Sequence, residues 1–272
     1  MSTESRKTDS VLDRIFAAKR DEVAAQKAQT PFESLIDRCV DIPPPRDFVA
    51  ALRARRPAII AEIKRASPSK GDILPGLDPA AVAREYERCG AAAISVLTDR
   101  HFKGTLDDLR AARAAVSIPI LRKDFMFDPW QVYEARAAGA DAILIIVAML
   151  PERAIRDLDV IARELGMAAL VEVHNAKEFA LAQRIGATLV GINNRDLHTF
   201  VTDIAVTEKL LGDYRGDLLI VAESGIDSPE DIRRLDKAGA RAFLIGESLL
   251  RGGDPAGKLP ELLSALSAQR KL

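Results

Sequence analysis

Charged side chains end several apolar, β-branched runs in this sequence. Glu62 with Lys64, Lys123 and Glu172 each stand at the end of such a run. A buried lysine or glutamate is costly unless it is paired or takes part in chemistry. Lysines held close together against apolar walls tend to have lowered pKa values, which suits a general acid or a Schiff-base nucleophile, and a nearby carboxylate can take the opposite role. The pattern predicts several strands converging on one polar site.

More polar residues follow the later runs in the same way. They are Thr98, Asp99, Asp124, Asn193, Arg195, Glu223, Ser224, Gly246, Glu247 and Ser248. The last two loops of a (β/α)8 barrel, with the start of a short helix, often bind phosphate through backbone N–H groups. Such a helix is predicted over 248–251, and Gly225 and Gly246 would let the backbone approach the anion. The expected ligand is therefore a phosphorylated small molecule.

Alternating strands and helices would have to position these residues. Strand-like runs occur at Ala58–Ile63, Ala93–Leu97, Ile118–Leu121, Ala142–Val147, Ala168–Val173, Leu189–Ile192, Leu218–Val221 and Ala242–Ile245. Helical patterns separate them, for example at Pro79–Cys89, Pro129–Ala138, Pro151–Leu165 and Pro229–Ala238. A Gly-Ala pair recurs with every second unit, at 90, 139, 186 and 239. Eight units predict an α/β protein of the (β/α)8 TIM-barrel class. An open doubly wound sheet fits less well, because Lys64-Arg65-Ala66-Ser67 replaces the glycine-rich turn after its first strand.

The segment before the first strand predicts a helical extension. Residues 10–29 show helical spacing, with Val11, Leu12, Ile15, Phe16 and Val23 on one side. Ser10 is a plausible N-cap, Thr30-Pro31 breaks the pattern, and Pro43–Pro45 form a stiff connector. We expect a single domain over 1–272, with 1–45 as N-terminal helical extension and linker and 46–272 as the barrel.

Composition narrows the possible classes of protein. The chain has 272 residues and a net charge of -1, which argues against nucleic-acid and membrane partners. Cys39, Cys89 and the three histidines show no metal-ligand spacing, so no metal is expected. The N-terminus lacks the apolar core of a signal peptide, and the longest apolar run, 142–150, is too short to span a bilayer. These features predict a cytoplasmic protein.

Simpler structural roles are open for the same residues. Lys64 could pair with Glu62, Lys123 with Asp124, and Glu172 with Arg195 across the barrel mouth. The three histidines, His101, His174 and His198, are expected to be loop or helix-start residues rather than catalysts, and the two cysteines to be packing residues.

An ordered set of phrases from Arg46 to Arg251 resembles the indole-3-glycerol phosphate synthase family. The set comprises Glu62-Ile-Lys64-Arg-Ala-Ser67-Pro-Ser-Lys-Gly71, Leu97-Thr-Asp99 with Phe102-Lys-Gly104, Leu121-Arg-Lys123-Asp-Phe125, Val171-Glu172-Val-His174, Asn193-Asn-Arg195-Asp-Leu197, Glu223-Ser-Gly-Ile226 and Gly246-Glu-Ser-Leu249. The resemblance implies a lyase of tryptophan biosynthesis. It would convert 1-(2-carboxyphenylamino)-1-deoxyribulose 5-phosphate to indole-3-glycerol phosphate, CO2 and water, without metal or organic cofactor and without a fused second enzyme.

The resemblance also implies roles for individual residues. Lys123 would be the acid in ring closure, Lys64 would orient the substrate, and Glu172 would act in dehydration; which lysine serves which step is left open. Asn193 and Arg195 would hold hydroxyl and carboxylate groups, Glu62 and Glu223 would orient lysines and hydroxyls, and Phe102 and Phe125 would flank the anthranilate ring. The phosphate would be received by Ser67, Ser224, Gly225, Gly246 and the backbone N–H of Glu247.

Three rival functions share parts of this pattern. A sugar-phosphate isomerase would use the same phosphate loops but has no need for two lysines and an aromatic clamp. A Schiff-base aldolase would use Lys123 or Lys64 to form an imine. A regulatory barrel would bind a phosphorylated ligand without turnover.

Overall fold

The apolar runs form strands whose side chains are buried on both faces, as expected for a parallel sheet covered by helices. The computed structural model describes residues 11–67, 71–196, 199–251, 254 and 257–266. Its strands are β1 (Ala58–Ile63), β2 (Ala93–Leu97), β3 (Ile120–Lys123), β4 (Ala142–Ile146), β5 (Ala168–Val173), β6 (Leu189–Asn193), β7 (Leu219–Glu223) and β8 (Ala242–Ile245). Neighbouring strands pair in parallel, and β1 pairs with both β2 and β8. Within the described residues the eight strands therefore close into a barrel, which confirms the predicted fold class.

Helices cover the outside of the barrel and lie across both of its ends. They are α1 (Val11–Gln29), α2 (Phe32–Asp41), α3 (Phe48–Arg53), α4 (Pro79–Arg88), α5 (Leu106–Ala115), α6 (Pro129–Ala137), α7 (Glu152–Glu164), α8 (Ala176–Arg184), α9 (Ala205–Leu211), α10 (Pro229–Ala238), α11 (Glu247–Leu250) and α12 (Leu259–Leu263). Thr105, Asp128 and Ser228 each form a capping box at the start of α5, α6 and α10. These boxes satisfy backbone N–H groups that a helix start leaves unpaired. No helix in the described part of the chain is long and apolar enough to cross a membrane.

The interior of the barrel is filled by side chains rather than open. Ile60, Leu121 and Leu170 belong to a buried cluster inside the strands, and Phe48 and Leu52 of α3 pack into the same cluster. A second, larger cluster lies between the strands and the surrounding helices. In the described part of the chain, α3 and this inner cluster fill the amino-terminal end, so a ligand is expected at the carboxyl end of the strands.

The N-terminal segment is more structured than the sequence pattern predicts. The expected helix is present as α1, with Ile15 and Val23 buried and Phe16 partly buried; the expected cap, Ser10, lies outside the described residues. A second helix, α2, follows Pro31, because Leu35 packs with Val23 and the indole of Trp130. The expected helical extension and linker therefore holds a second packed helix before the three prolines.

Several strand ends differ by one or two residues from the prediction, and the difference matters for the site. β3 runs from Ile120 to Lys123 instead of ending at Leu121, and β7 extends to Glu223. β6 likewise includes Asn193. Lys123, Asn193 and Glu223 are thus held by strand hydrogen bonds rather than by flexible loops, which fixes their side chains more rigidly at the barrel mouth.

Candidate active site

Two lysines at the barrel mouth are surrounded by glutamates from different strands. Lys123 Nζ lies 2.9 Å from Glu172 Oε2 and 3.4 Å from Glu223 Oε2. Lys64 Nζ lies 2.8 Å from Glu62 Oε1. The possible pairing of Lys64 with Glu62 is therefore present, while Lys123 pairs across the barrel with Glu172 and Glu223 instead of with its neighbour in the sequence.

The glutamates keep the Lys123 side chain charged. Burial alone would lower the pKa of Lys123, but the carboxylates of Glu172, Glu223 and Glu62 raise it well above the usual lysine range. The expectation of a lowered lysine pKa is thus wrong for Lys123, because burial is outweighed by the charges around it. An ammonium at this position can donate a proton, whereas a Schiff-base nucleophile needs the free amine.

The pKa values of the two carboxylates that contact Lys123 are shifted in opposite directions. Burial would raise the pKa of Glu172, but the Lys123 ammonium and contacts with His174 and Asn193 hold it well below its usual value. Burial and repulsion by Glu172 and Glu62 raise the pKa of Glu223 to about 8, against the pull of Lys123. Glu172 is therefore the ionised member of the pair at neutral pH, since one ammonium does not compensate two buried carboxylates.

Two glycines leave the space that the carboxylates of Glu223 and Glu62 occupy. A Cβ on Gly191 of β6 would lie 2.0 Å from Glu223 Oε1, and a Cβ on Gly246 would lie 2.3 Å from Glu62 Oε1. A side chain at either glycine would therefore require the carboxylate to move. Gly246 was expected to let the backbone approach an anion, and its contact with Glu62 gives it a further reason to be glycine.

A polar cavity of about 500 Å³ opens beside the lysines, over the loops after β7 and β8. Its lining includes Ser224, Gly225, Gly246, Glu247, Ser248, Arg195 and Arg251. Ser224 and Gly225 have φ of 66° and 76°, so the chain makes a left-handed turn directly after β7. Strained backbone of this kind at a non-glycine residue is often found at functional sites. The helix expected over 248–251 is present as α11, beginning one residue earlier at Glu247.

An apolar cavity of about 140 Å³ lies on the other side of the lysines. Its apolar lining comprises Ile15, Leu97, Phe102, Phe125, Leu144, Ile146 and Phe200. The rings of Phe102 and Phe125 have centroids 6.5 Å apart and are tilted by 37°. Lys64, Lys123, Asn193 and Arg195 line both cavities. The charged groups therefore stand at the junction of an apolar and a polar compartment.

Other residues singled out from the sequence have different positions. Ser67 is buried in a short antiparallel ribbon with Gly71, and its side chain lines neither of these two cavities. Arg195 lies 3.6 Å from Glu247, so the possible Arg195–Glu172 pair is replaced by a contact with the phosphate-loop side. His198 lies outside the described residues. Within the described ranges, no group of three or more His, Cys, Asp or Glu side chains could hold a metal ion.

Three residues that shape the site were given no role in it from the sequence. Lys19 of α1 is buried, and its Nζ lies 2.8 Å from Asp99 and 2.9 Å from Asp124. His174 lies in the loop between β5 and α8, as expected, and its ring contacts Glu172; its spacing of two residues from Glu172 at a strand end was a signal that could have been used. Phe200 lines both cavities with a φ of 59°, and nothing in the sequence around it indicated this.

Comparisons with known proteins agree with this geometry. Residues 12–262 match the family described as indole-3-glycerol phosphate synthase. Relatives of that name from Aromatoleum aromaticum and Roseiflexus castenholzii are each 49% identical, covering 93% of this chain and 98% of their own lengths. Among solved structures, an N-acetylmannosamine-6-phosphate 2-epimerase from Clostridium perfringens aligns with a TM-score of 0.57 at 15% identity, over 72% of this chain and 89% of its own, which shows the fold alone. The sequence matches go further: this chain belongs to the indole-3-glycerol phosphate synthase family.

Proposed function

We propose that this chain converts 1-(2-carboxyphenylamino)-1-deoxyribulose 5-phosphate to indole-3-glycerol phosphate, CO2 and water. Family membership supports the reaction. The observation that carries the assignment of residues is the Lys123 ammonium, held by Glu172 and Glu223 between an apolar and a polar cavity.

The two cavities match the two ends of this substrate. The carboxyphenyl ring would occupy the apolar cavity against Phe102 and Phe125, since offset aromatic packing stabilises a ring in such a position. The phosphate would occupy the polar cavity and accept hydrogen bonds from backbone N–H groups near Gly225 and at the start of α11. Ser224, Gly246 and Glu247 would complete this phosphate site. Ser67, which lines neither cavity, would have to reach the phosphate from its ribbon.

Ring closure needs an acid beside the ketone. The aromatic carbon that carries the carboxylate bonds to the ketone carbon, and the ketone oxygen takes a proton from the Lys123 ammonium. The bond to the carboxylate then breaks, CO2 leaves, and the electron pair restores the aromatic ring. The ring serves as electron sink, and the Arg195 guanidinium and the Asn193 amide would hold the carboxylate and hydroxyl groups in place.

Dehydration needs an acid and a base together. Glu172, whose pKa is held low, is available as the base that removes the proton from the carbon beside the nitrogen. Lys64, paired with Glu62, would give its proton to the leaving hydroxyl, so that water departs and the indole forms. Glu172 would thus act as the base and Lys64 as the acid of this step.

Among the rival functions, an aldolase mechanism fits these surroundings less well. Imine formation needs a neutral lysine, whereas the carboxylates around Lys123 favour its protonated form. Treatment with borohydride in the presence of a keto-sugar phosphate would trap an imine if one formed. An isomerase would leave the apolar cavity and the rings of Phe102 and Phe125 without a purpose.

The deciding experiment mixes the substrate separately with the purified natural chain, with Lys123→Ala and with Glu172→Ala. Indole fluorescence is followed in each mixture. Loss of a positioned acid or base costs about 10²- to 10⁴-fold in rate, so both variants should lose turnover by orders of magnitude. Lys177→Ala, an exposed lysine in the first turn of α8, is the matched control and should retain the natural rate. A natural chain that binds the substrate and never yields indole would instead support a regulatory barrel.

We also propose that the enzyme acts in the cytoplasm, with no nucleic-acid or membrane partner. The near-neutral charge of -1 supports the absence of nucleic-acid steering. Cys39 and Cys89 are free thiols, as is usual in a reducing compartment. Cell fractionation would test the cytoplasmic location and the absence of a membrane partner. A salt-dependent binding assay would test the absence of a nucleic-acid partner.

A further inference from the structure

The proposed base, Glu172, is connected through a histidine to the start of helix α8. His174 Nε2 lies 3.1 Å from Glu172 Oε1, and His174 Nδ1 lies 3.1 Å from Glu178 Oε2. The other oxygen of Glu172 faces Lys123, and the Asn193 amide donates to Oε1 at 3.1 Å. Nδ1 of His174 is thus hydrogen-bonded to the carboxylate outside the site, while Nε2 lies at ion-pair distance from the carboxylate in the site without hydrogen-bond geometry.

Local structure fixes this arrangement. Glu172 is the next-to-last residue of β5, and His174 directly follows the strand, two positions on, where its ring lies on the same side as the Glu172 carboxylate. Asn175 caps α8 and donates from Nδ2 to Glu178 Oε1, while the backbone N–H of His174 donates to Glu178 Oε2 at 2.8 Å. The helix start therefore holds Glu178, Glu178 holds the imidazole, and the imidazole faces Glu172.

The charges around the imidazole favour its protonated form. Burial would lower the pKa of His174, but Glu172 and Glu178 raise it to about 10. The groups facing Glu172 and its partners are Lys123 from β3, Glu223 from β7, Glu62 from β1 and Glu178 from α8. Of these, only Lys123 is a cation, and it is shared with Glu223. A second cation beside Glu172 therefore changes the local charge balance substantially.

We infer that His174 is a positioning residue: as an imidazolium between Glu172 and Glu178, it keeps Glu172 ionised and oriented for its role as a base. The inference rests on the proposed function. His174 lines neither the polar nor the apolar cavity, so it acts through Glu172 rather than on the substrate. Outer partners of this kind orient the groups that react, and their loss typically costs about 10- to 100-fold in activity at metal sites, where they are best measured.

The kinetic test compares His174→Gln with the natural chain. Glutamine removes the cation, so the pKa of Glu172 should rise and the acid limb of the kcat–pH profile should move to higher pH by about one unit or more. We expect kcat at neutral pH to fall by about tenfold or more with KM nearly unchanged, because the substrate contacts are intact. CO2 release should outrun the appearance of indole fluorescence, since Glu172 is assigned to dehydration.

Three further variants separate positioning from structural support. His174→Lys keeps a cation and should keep the acid limb nearer to that of the natural chain. Glu178→Gln should shift the limb in the same direction as His174→Gln but less. His101→Gln removes another histidine–carboxylate pair, with Asp99, that does not contact Glu172, and should leave the limb in place. A His174→Gln protein with the kcat and acid limb of the natural chain would overturn the inference.

An NMR titration makes the test independent of turnover. The chain has three histidines, so the His174 ring signals are assigned by their loss in His174→Gln. In the natural chain the ring should stay protonated through neutral pH, and Glu172→Gln should lower its pKa. A ring that titrates near the ordinary histidine value, unaffected by Glu172→Gln, would overturn the inference even if indole synthesis were confirmed; failure of the proposed function would show instead as a natural chain without turnover.

Discussion

The ammonium of Lys19, in the N-terminal helix α1, lies 2.9 Å from the carboxylate of Asp124, the residue that directly follows Lys123. The same ammonium lies 2.8 Å from Asp99, at the start of the loop that carries Phe102. Ile15, one turn earlier on α1, lines the apolar cavity. The helix that precedes the barrel is therefore joined to the rim of the candidate site by a buried ionic contact and forms part of its wall.

Lys19→Met should destabilise the protein strongly. Removing one partner of a buried ionic cluster leaves Asp99 and Asp124 buried with less compensation, which typically costs about 3–5 kcal/mol. Equilibrium unfolding in urea would measure this loss. Lys27→Met is the matched control, since Lys27 pairs with Asp128 at an exposed position of the same helix and such pairs contribute about 0–1 kcal/mol. Equal, small effects in the two variants would show that the buried cluster does not fasten α1.

Gly191→Ala should displace the carboxylate of Glu223. The new methyl group would lie 2.0 Å from Glu223 Oε1, so the carboxylate must move and its contact with Lys123 must change. We expect kcat to fall by about tenfold or more and the free energy of unfolding to fall by about 1–3 kcal/mol, the usual cost of overpacking a core. Both are read from the fluorescence assay and urea unfolding.

Gly76→Ala supplies the control for that substitution. Its Cβ would meet no atom within 4 Å, and the backbone is not in the left-handed region. Stability within about 0.5 kcal/mol of the natural chain is expected. If Gly191→Ala behaved like Gly76→Ala, the close packing of Glu223 against β6 would be irrelevant to function.

The stability of the protein should depend on pH through His174. Its pKa is about 10 in the folded protein and 6.5 ordinarily, so between these values the folded state holds a proton that the unfolded state has lost. Stability from this group is complete below pH 6.5 and is lost as the pH rises to 10, with a slope of up to about 1.4 kcal/mol per pH unit. His174→Gln should remove that slope.

Urea unfolding at several pH values between 6 and 10 measures the effect. The stability difference between the natural chain and His174→Gln should be largest at pH 6 and should shrink steadily toward pH 10. Glu223, whose pKa is raised to about 8 from 4.5, contributes a slope of the same sign at lower pH in both proteins. A difference that stayed constant with pH would contradict the charge assigned to His174.

Much of the fold and of the candidate site was predictable because the βα repeat leaves a direct imprint on the sequence. A strand buried on both faces is apolar throughout, so a charged residue at its end, such as Lys123, Glu172 or Glu223, stands out. Parallel strands bring their carboxyl ends together, so residues far apart in the sequence could be assigned to one mouth.

Long-range contacts set the limits of that reasoning. Lys19 sits among charged neighbours on a helix, and its burial follows from two loops distant in the sequence. The raised pKa of Lys123 depends on three glutamates from three strands, whose distances no spacing reveals. Phe200 enters both cavities from a loop without a regular repeat. In each case the burial, pKa or position of the residue depends on residues that are close in space but distant in the sequence.

The closure of the barrel has a consequence for the protein's synthesis on the ribosome. β1 is hydrogen-bonded to β2 on one edge and to β8 on the other, and Glu62 from β1 fits against Gly246 just after β8. A nascent chain that still lacks Ala242–Ile245 exposes the edges of β1 and β7, and unpaired strand edges are templates for aggregation. The part of the charged site that holds Glu62 against Gly246 therefore depends on the last strand to be synthesised. It can form only after the eighth strand has emerged, when β1 gains its second hydrogen-bonded neighbour.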